Sequence, residues 1–324
     1  GGVTLKSIPP LRVDEIFIDT CVRKKEIQIR YSLVNSTDES RTVNVTPTIF
    51  NKKDSVVHSL PSYTIKIPPH SRFSDTLTKK WKDPVLWGFG DYGRLYLYKL
   101  TLRLSSNGKI IDNTYEKFGF RELWNEGNRF YFNGKEIFLY GDNPGSGITF
   151  LGVLNRQWVR YMIKAEREAN INYIRTHTFI PPESWMEECD KLGMLLEPEF
   201  VISRDDNFMK YEKDIVEKVV REYYNHPSIF MWSLDNESVS QIRKIDREIL
   251  EKHKEMSDIL RSIDPVRLID HQGDVYLGLV FEFVMHGFFP VVNMHPYGDP
   301  LKNQILQYKK EFNYQDSVPL LIGE

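Results

Sequence analysis

A chain of 324 residues can form about two domains, and its 41% hydrophobic and 13% aromatic residues are sufficient to fill two cores. The net charge is −2, and lysine and arginine are interspersed with aspartate and glutamate, which excludes a basic surface for nucleic acid. No apolar run approaches the ~20 residues that cross a bilayer, so we expect no membrane partner.

The first ten residues, GGVTLKSIPP, lack the charged and apolar regions of a signal peptide. The compartment is therefore left open, with a preference for the periplasm or the cell exterior. The two cysteines, Cys21 and Cys189, fall in segments that we assign to different domains. We expect both to be free thiols.

Residues 1–118 show the two-residue hydrophobic period of β-strands. In the segment KEIQIRYSLVN, one face carries Ile27, Ile29, Tyr31 and Leu33. The same period continues in later segments, and turn-forming residues such as Asn107 and Gly108 separate them. Roughly seven short strands at this spacing predict an immunoglobulin-like β-sandwich over residues 1–118.

From residue 119 onward, strands alternate with helices. A hairpin that turns at Asn133 and Gly134 leads into a first strand ending at residues 140–143. Four amphipathic stretches then predict helices. Further short apolar strands are predicted at residues 171–175, 194–197, 229–232, 268–270, 291–294 and 320–322. This order predicts a (β/α)8 TIM barrel over residues 119–324, truncated after its seventh strand.

Polar side chains collect at the same end of these strands. In chain order they are Asp142, Asn143, Arg175, His177, Glu199, Asn236, Glu237, Asp270, His271, His295, Tyr297 and Glu324. In a β/α barrel the carboxyl ends of the strands meet on one rim, which is where active sites of this fold lie. We therefore expect these residues to converge. A single strand-end glutamate would more often be a helix cap or a surface charge.

The segment HPSIFMWSLDNE, residues 226–237, resembles the acid/base segment of family 2 of the glycoside hydrolases, which contains β-galactosidases, β-glucuronidases and β-mannosidases. The segment FGFR at residues 118–121 is similar to the entry into that family's barrel. Residues 172–177, NYIRTH, and 189–199, CDKLGMLLEPE, resemble its second and third strands. These ordered motifs extend the resemblance over nearly the whole chain.

The resemblance implies a retaining, exo-acting β-glycoside hydrolase that cleaves a terminal β-linked sugar through a covalent glycosyl-enzyme intermediate. It gives the acid/base role to Glu237 and the nucleophile role to Glu324, at the end of the seventh strand. The expected substrate contacts are Asp142, Asn143, Arg175, His177, Glu199, Asn236, His295 and Tyr297. The expected partner is a β-glycoside or oligosaccharide, without cofactor or metal, and a homo-oligomer is compatible with the pattern.

Several features leave alternatives open. Arg175 and Glu199 are equally compatible with a buried pair of structural function. Asp235 stands where the family usually has glycine, and its carboxylate either repels the charge of Glu237, which we favour, or points outward. The family normally begins with a jelly-roll domain and closes its barrel with an eighth strand, so the sequence is interpreted as a fragment.

Two other functional classes compete with a glycosidase. A non-catalytic carbohydrate-binding relative would be expected to lack one of the two glutamates, and both Glu237 and Glu324 are present. A metal-dependent hydrolase would use the rim histidines His177, His271 and His295. These lie on separate strands without a His-x-x-x-His pair, which disfavours a metal centre.

Overall fold

The computed structural model describes residue 5, residues 7–144, 155–201, 206–237, 247–272, 290–295 and 318–322, and residues 303, 306 and 310. The chain divides into two compact units. The first contains residues 1–122 and 224–227, and the second contains residues 123–223 and 228–324. No helix in the described ranges is long and apolar enough to cross a membrane.

The first unit is a sandwich of two antiparallel sheets. The strands are β1 (Leu11–Cys21), β2 (Glu26–Asn35), β3 (Arg41–Phe50), β4 (Val56–Ser59), β5 (Tyr63–Ile67), β6 (Ser71–Lys80), β7 (Tyr98–Ser106) and β8 (Lys109–Phe118). One sheet has the order β1-β2-β6, and the other has the order β4-β3-β7-β8, with β5 also paired to β3. Apart from the short strands β4 and β5, these sets correspond to strands A-B-E and C-F-G of immunoglobulin-type sandwiches.

Alternation places the core of the sandwich between its sheets. Ile27, Ile29, Tyr31 and Leu33 of β2 are all buried, as the two-residue period predicted. They pack with Leu100, Leu102 and Leu104 of β7 and with residues of β1 and β3. Because each strand contributes every second residue, the two inner faces fill one continuous apolar layer.

A three-stranded antiparallel sheet begins the second unit. Its strands are β9 (Leu123–Glu126), β10 (Arg129–Phe132) and β11 (Lys135–Ile137). The predicted hairpin turn is confirmed, since β10 pairs with β11 and Asn133 and Gly134 both have positive φ, 52° and 90°. A two-residue turn with two positive φ values is the type I′ turn that Asn-Gly favours.

The remainder of the second unit is the β/α barrel domain. Its parallel strands are β12 (Gly141–Asp142), β13 (Tyr173–Thr176), β14 (Leu195–Pro198), β15 (Met231–Asn236), β16 (Leu268–Gln272), β17 (Val292–Met294) and β18 (Leu320–Ile322). The helices are α1 (Arg156–Glu168), α2 (Glu183–Leu192), α3 (Asp206–Tyr223) and α4 (Arg247–Ile263). The six strands predicted from apolar runs and the strand predicted after the hairpin are all present.

Local sequence fixes the start of α1 and the end of α2. The side chain of Asn155 caps α1 by accepting hydrogen bonds from the backbone N–H groups of Gln157 and Trp158. Gly193 ends α2 in the left-handed conformation, with φ of 71°. Caps of these two kinds satisfy backbone groups that a helix terminus leaves unpaired. The left-handed Gly193 therefore ends α2 shortly before β14 begins at Leu195.

We expect Gly119→Ala to destabilise the sandwich by about 1–3 kcal/mol through overpacking. A Cβ atom at Gly119 would lie 2.5 Å from Trp87 Cβ and 2.8 Å from Pro227 Cβ, and Trp87 is fully buried. Lys66→Ala, at an exposed position of β5 in the same sandwich, is the control. Urea unfolding of both variants measures the difference. Equal midpoints would contradict the steric argument.

Candidate active site

A buried arginine connects three strand ends of the barrel. Arg175, on β13, is 1% exposed, and its Nε donates to Oε2 of Glu199 at 2.8 Å. Its Nη2 donates to Oδ1 of Asn236, at the end of β15. Glu199 directly follows β14, so one guanidinium holds β13, β14 and β15 in register at their carboxyl ends. The predicted convergence of Arg175, Glu199 and Asn236 is present in the structure.

Glu199 is held on both of its oxygens. Its Oε1 accepts the backbone N–H of Thr178 at 2.7 Å, and its Oε2 also accepts from Ser233 Oγ at 3.3 Å. Thr178 makes this bond from a left-handed backbone with φ of 59°, which is unusual for a β-branched residue. Burial raises the pKa of Glu199 to about 7, although Arg175 opposes the shift. Glu199 is therefore a rigid, partly protonated support of the site.

A β-bulge in β15 sets the direction of Asn236. Ser233 pairs with Asp270 and Asn236 pairs with Gln272, so β15 advances three residues while β16 advances two. In a regular strand, residues three apart face opposite sides. The extra residue lets Ser233 bond to Glu199 while Asn236 bonds to Arg175 inside the same cluster. Bulges re-aim side chains in this way beside active sites.

Glu237 follows β15 directly and contacts a histidine from another strand. Its backbone is left-handed, with φ of 49°, a conformation that costs a residue with a side chain roughly 1–2 kcal/mol. Its Oε1 lies 2.7 Å from Nδ1 of His295, which follows β17. The side chain of Glu237 is 24% exposed and that of His295 is 0% exposed. Glu237 therefore combines a buried partner with access to solvent.

A second buried carboxyl lies on β16. Asp270 is 0% exposed, and its oxygens accept from Nδ2 of Asn293 and from the backbone N–H of His271, each at 2.7 Å. Burial raises the pKa of Asp270 to about 7, while Asn293, His271 and Arg175 oppose the shift and Glu199 adds to it. Asp270 thus links β16 to β17 in the way that Arg175 links β13 to β15.

The side chain of Asp235 contacts helix α4, whereas Asn236 contacts Arg175 and Glu237 contacts His295. Its Oδ2 lies 3.0 Å from Nε2 of His253 on α4, and its Oδ1 accepts the backbone N–H of Asn236 at 2.7 Å. The carboxylate therefore turns toward α4, which corresponds to the outward orientation and not to the repulsion with Glu237 that we favoured from the sequence. The ring of His253 stacks on His271, with centroids 4.6 Å apart and planes inclined by 14°.

Asp235, His253 and His271 have the donor types of a metal site, and their ligand atoms lie within 4.8 Å of one another. Ligating imidazoles point their ring nitrogens at a common ion, whereas these two rings lie face to face. The geometry fits a buried hydrogen bond between Asp235 and His253, with the ring of His271 stacked on that of His253. In the described ranges, His177, His271 and His295 do not form one ligand set, unlike the trio of the rival metal hydrolase.

Other predicted site residues lie apart from this cluster or outside the described ranges. Asp142 is exposed and hydrogen-bonds to Glu166 of α1, and burial and this contact raise the pKa of Glu166. Asn143 is partly buried, and its Oδ1 has no hydrogen-bond partner in the described part of the chain. His177 lies beside the cluster, with Nδ1 3.4 Å from Thr178 Oγ1. Tyr297 and Glu324 lie outside the described residues.

Sequence reasoning missed several residues that build the site. Asn293 lies two residues before His295 on β17, so the strand period offered a signal for it. Ser233, Thr178 and His253 had no such signal. The contact of Ser233 depends on the bulge in β15, and that of Thr178 depends on its left-handed backbone. The contact of His253 depends on α4, which is distant in sequence.

Comparison with known proteins agrees with the fold and the motifs. The family model for the TIM barrel domain of glycosyl hydrolases family 2 matches residues 125–324, and the model for glycosyl hydrolases family 2 matches residues 11–121. The chain belongs to family 2 of the glycosyl hydrolases. The resemblance stated from the motifs is thereby confirmed, as is the architecture of a sandwich domain followed by a TIM barrel domain.

Relatives in this family carry two activities in their names. A β-glucuronidase from Formosa agariphila is 26% identical over 254 residues, which cover 75% of this chain and 24% of the relative. A β-galactosidase from Halalkalibacterium halodurans is 27% identical over 219 residues, covering 61% and 20%. The chain spans less than a third of the length of the curated relatives it matches.

Solved structures show the same fold. The crystal structure of a β-glucuronidase from Bacteroides uniformis covers 97% of this chain, and the match covers 41% of that protein's chain. The TM-score is 0.79 at 20% sequence identity.

We expect the barrel to be more stable at pH 5.5 than at pH 8, by on the order of 1–3 kcal/mol. Glu199 and Asp270 both have a pKa raised to about 7 in the folded state. A folded state that binds protons more tightly than the unfolded chain gains stability as pH falls, and this gain is lost as pH rises through 7.

Urea unfolding at the two pH values measures this difference. Glu199→Gln is the control, because an amide does not titrate and the variant should lose part of the pH dependence whatever its overall stability. The same pH dependence in the wild type and the variant would contradict the assignment to this carboxyl.

Proposed function

We propose that this chain carries the catalytic barrel of a retaining β-glycoside hydrolase that removes a terminal β-linked sugar. The observation that supports this most directly is Glu237, whose carboxyl lies at a strand end, partly exposed and hydrogen-bonded to buried His295. Beside it, Asn236 is fixed by Arg175. Family membership and the names of the relatives support the same reaction class.

In the proposed mechanism, Glu237 is the general acid and then the general base. Its protonated carboxyl donates to the glycosidic oxygen as the bond to the anomeric carbon breaks. Its carboxylate then accepts a proton from the water that hydrolyses the glycosyl-enzyme. Partial exposure suits this role, because the leaving group and the water must both reach the carboxyl.

We assign the nucleophile to Glu324 and its orientation to Tyr297. Glu324 comes two residues after β18, whose apolar segment Leu320–Ile322 pairs in parallel with β17. A carboxylate following this strand would belong to the same rim as Glu237, since all barrel strands end there. A hydrogen bond from the Tyr297 hydroxyl would favour the charged form that attacks the sugar.

The sugar-binding residues are proposed from the same rim. Asn236 is held by Arg175 through its Oδ1, which leaves its Nδ2 to donate to the sugar 2-hydroxyl. Oδ1 of Asn143 offers an acceptor, and His177 lies beside the cluster. Asp142, Glu199 and His295 were also expected to contact sugar. Glu199 and His295 are instead buried and contact protein side chains, so we assign them supporting roles.

We also infer that the working barrel is closed by an eighth strand between β18 and β12. Within the described residues, β12 pairs only with β13, and β18 pairs only with β17. An open edge between two parallel strands leaves backbone donors and acceptors unpaired. Activity is therefore best measured on protein in which both edges of the barrel are paired.

We expect Glu237→Gln to retain the fold and to lower kcat/KM by roughly 10²–10⁴-fold for β-glycosides with poor leaving groups. Dinitrophenyl glycosides, which leave without protonation, should lose much less in this parameter. A panel of dinitrophenyl, nitrophenyl and alkyl β-galactosides and β-glucuronides tests both the reaction and the sugar. Glu126→Gln, at an exposed carboxyl on β9, is the control. Equal losses across the panel would argue against the acid role.

We expect a 2-fluoro glycoside with a good leaving group to label the protein on Glu324. The fluorine destabilises the oxocarbenium-like transition state, while the leaving group still allows the glycosyl-enzyme to form, so the intermediate accumulates. Mass spectrometry of the intact protein and then of its peptides locates the sugar. A label on Glu199, or no label on a protein that hydrolyses the parent glycoside, would contradict the nucleophile assignment.

A further inference from the structure

One sheet of the sandwich carries a cavity that the proposed hydrolysis does not use. Its volume is about 540 Å³, within the range of small-molecule sites. It is lined mainly by residues of β7, of β8 and of the turn that follows β3. All of the lining residues lie between Asn51 and Lys117, so the cavity belongs to the first unit alone.

Strand register places two lysines opposite each other at this cavity. Lys99 of β7 pairs with Lys117 of β8, and Thr101 pairs with Tyr115. Leu100 lies between them on β7 and is fully buried in the core, so these four side chains are on the outer side of the sheet. Like charges that are directly opposite across two strands repel each other. An anion bound between the two ammonium groups would remove this repulsion.

The turn after β3 adds a third lysine to the cavity. Oδ1 of Asn51 accepts the backbone N–H groups of Lys53 and Ser55 at 2.8 and 3.0 Å, which gives the turn a defined shape. Lys52, in the same turn, has its Nζ 5.3 Å from the centre of the Tyr96 ring. This cation–π contact helps to hold the ammonium group at the edge of the cavity.

Positive charge exceeds negative charge in this cavity. Its lining contains three lysines and one aspartate, Asp54, which forms an ion pair with Lys99. The Nζ of Lys99 also lies 5.2 Å from the centre of the Phe50 ring. The ammonium groups of Lys52 and Lys117 are therefore in excess over the carboxylate, and Lys117 is exposed. An anionic ligand would be attracted to this face.

The uncharged lining groups favour an acidic sugar as the ligand. Asn113 and Thr101 offer an amide and a hydroxyl, and Tyr115, which is 57% exposed, offers a ring face and a hydroxyl. An acidic saccharide has isolated charges among hydroxyl groups and apolar C–H faces, which these side chains match. A nucleic acid has a charge on every phosphate, and the carboxylate of Asp54 would oppose it.

We propose that the outer face of β7 and β8 binds an acidic oligosaccharide, with a carboxylate or sulfate group between Lys99 and Lys117 and a sugar ring against Tyr115. Arg103 extends the site, because it is exposed on the same side of β7 and lies about 13 Å from Lys99 along the strand. None of these residues has a role in the proposed hydrolysis, so the site is independent of that function.

Calorimetric titration with three probes tests the proposal. The probes are an oligogalacturonate, a malto-oligosaccharide and the sulfated derivative of that malto-oligosaccharide. All three are α-linked, so a hydrolase of terminal β-linked sugars leaves them intact. We expect one or both acidic probes to bind, more weakly as salt is added, and the neutral probe to bind at least about tenfold more weakly. The acidic probe that binds shows whether carboxylate or sulfate is recognised. Absence of binding by both acidic probes would overturn the proposal.

Two substitutions separate the contribution of charge from that of the aromatic ring. We expect Lys117→Gln to weaken binding of the acidic probe about 3–10-fold at low salt and to reduce its salt dependence. Tyr115→Ala should weaken binding by the same factor at low and at high salt. Lys109→Gln is the matched control, because it makes the same change at an exposed position of β8 outside the cavity lining. Unchanged binding in Lys117→Gln would contradict the proposed site.

Chemical labelling of lysines locates the bound probe without any substitution. Acetic anhydride modifies exposed amines, and mass spectrometry of the peptides gives the extent of modification at each lysine. We expect the acidic probe to protect Lys52 and Lys117 and to leave Lys66 and Lys109 unprotected. Equal protection of all four lysines would show non-specific binding and overturn the proposal. Tighter binding of single-stranded DNA than of either acidic probe would assign the face to nucleic acid instead.

Discussion

The mouth of the barrel depends on the buried positive charge of Arg175. Its guanidinium is almost fully enclosed and bonds to Glu199 after β14 and to Asn236 on β15. A charge in such a place needs partners with good geometry, because the cost of leaving it unpaired is several kcal/mol. The three strand ends are therefore held in one arrangement. Residues that follow them, including Glu237, start from fixed positions.

Two buried carboxyls lie near this guanidinium. Burial raises the pKa of both Glu199 and Asp270, Glu199 adds to the shift of Asp270, and Arg175 opposes both shifts. A low-dielectric interior cannot hold many carboxylates near one guanidinium, so protons compensate. Protonation therefore offsets the charge of these buried acids, whereas Glu237 is partly exposed to solvent.

Local rules were sufficient to predict much of the architecture from the sequence. The apolar period of β2, the Asn133-Gly134 turn and the seven apolar strands of the barrel each follow from interactions over a few residues. The site needed more than these rules. Asn236 lies three residues after Ser233, so the two-residue strand period does not predict that both side chains reach the same cluster. Nothing in the sequence near Asp142 indicates that it bonds to Glu166 of α1. Such contacts are tertiary, and only the assembled barrel specifies them.

The bulge in β15 has a consequence for which changes of length this segment tolerates. Three residue steps from Ser233 to Asn236 span only two steps of β16, so the bulge decides which side of the sheet the later side chains face. Removing Leu234 would convert the bulge into regular pairing and would leave Asn236 two residues from Ser233, on the same side of the sheet. One added residue would instead turn the strand end to the other side, so a graft of residues 228–237 between relatives can lose the extra residue but cannot gain another.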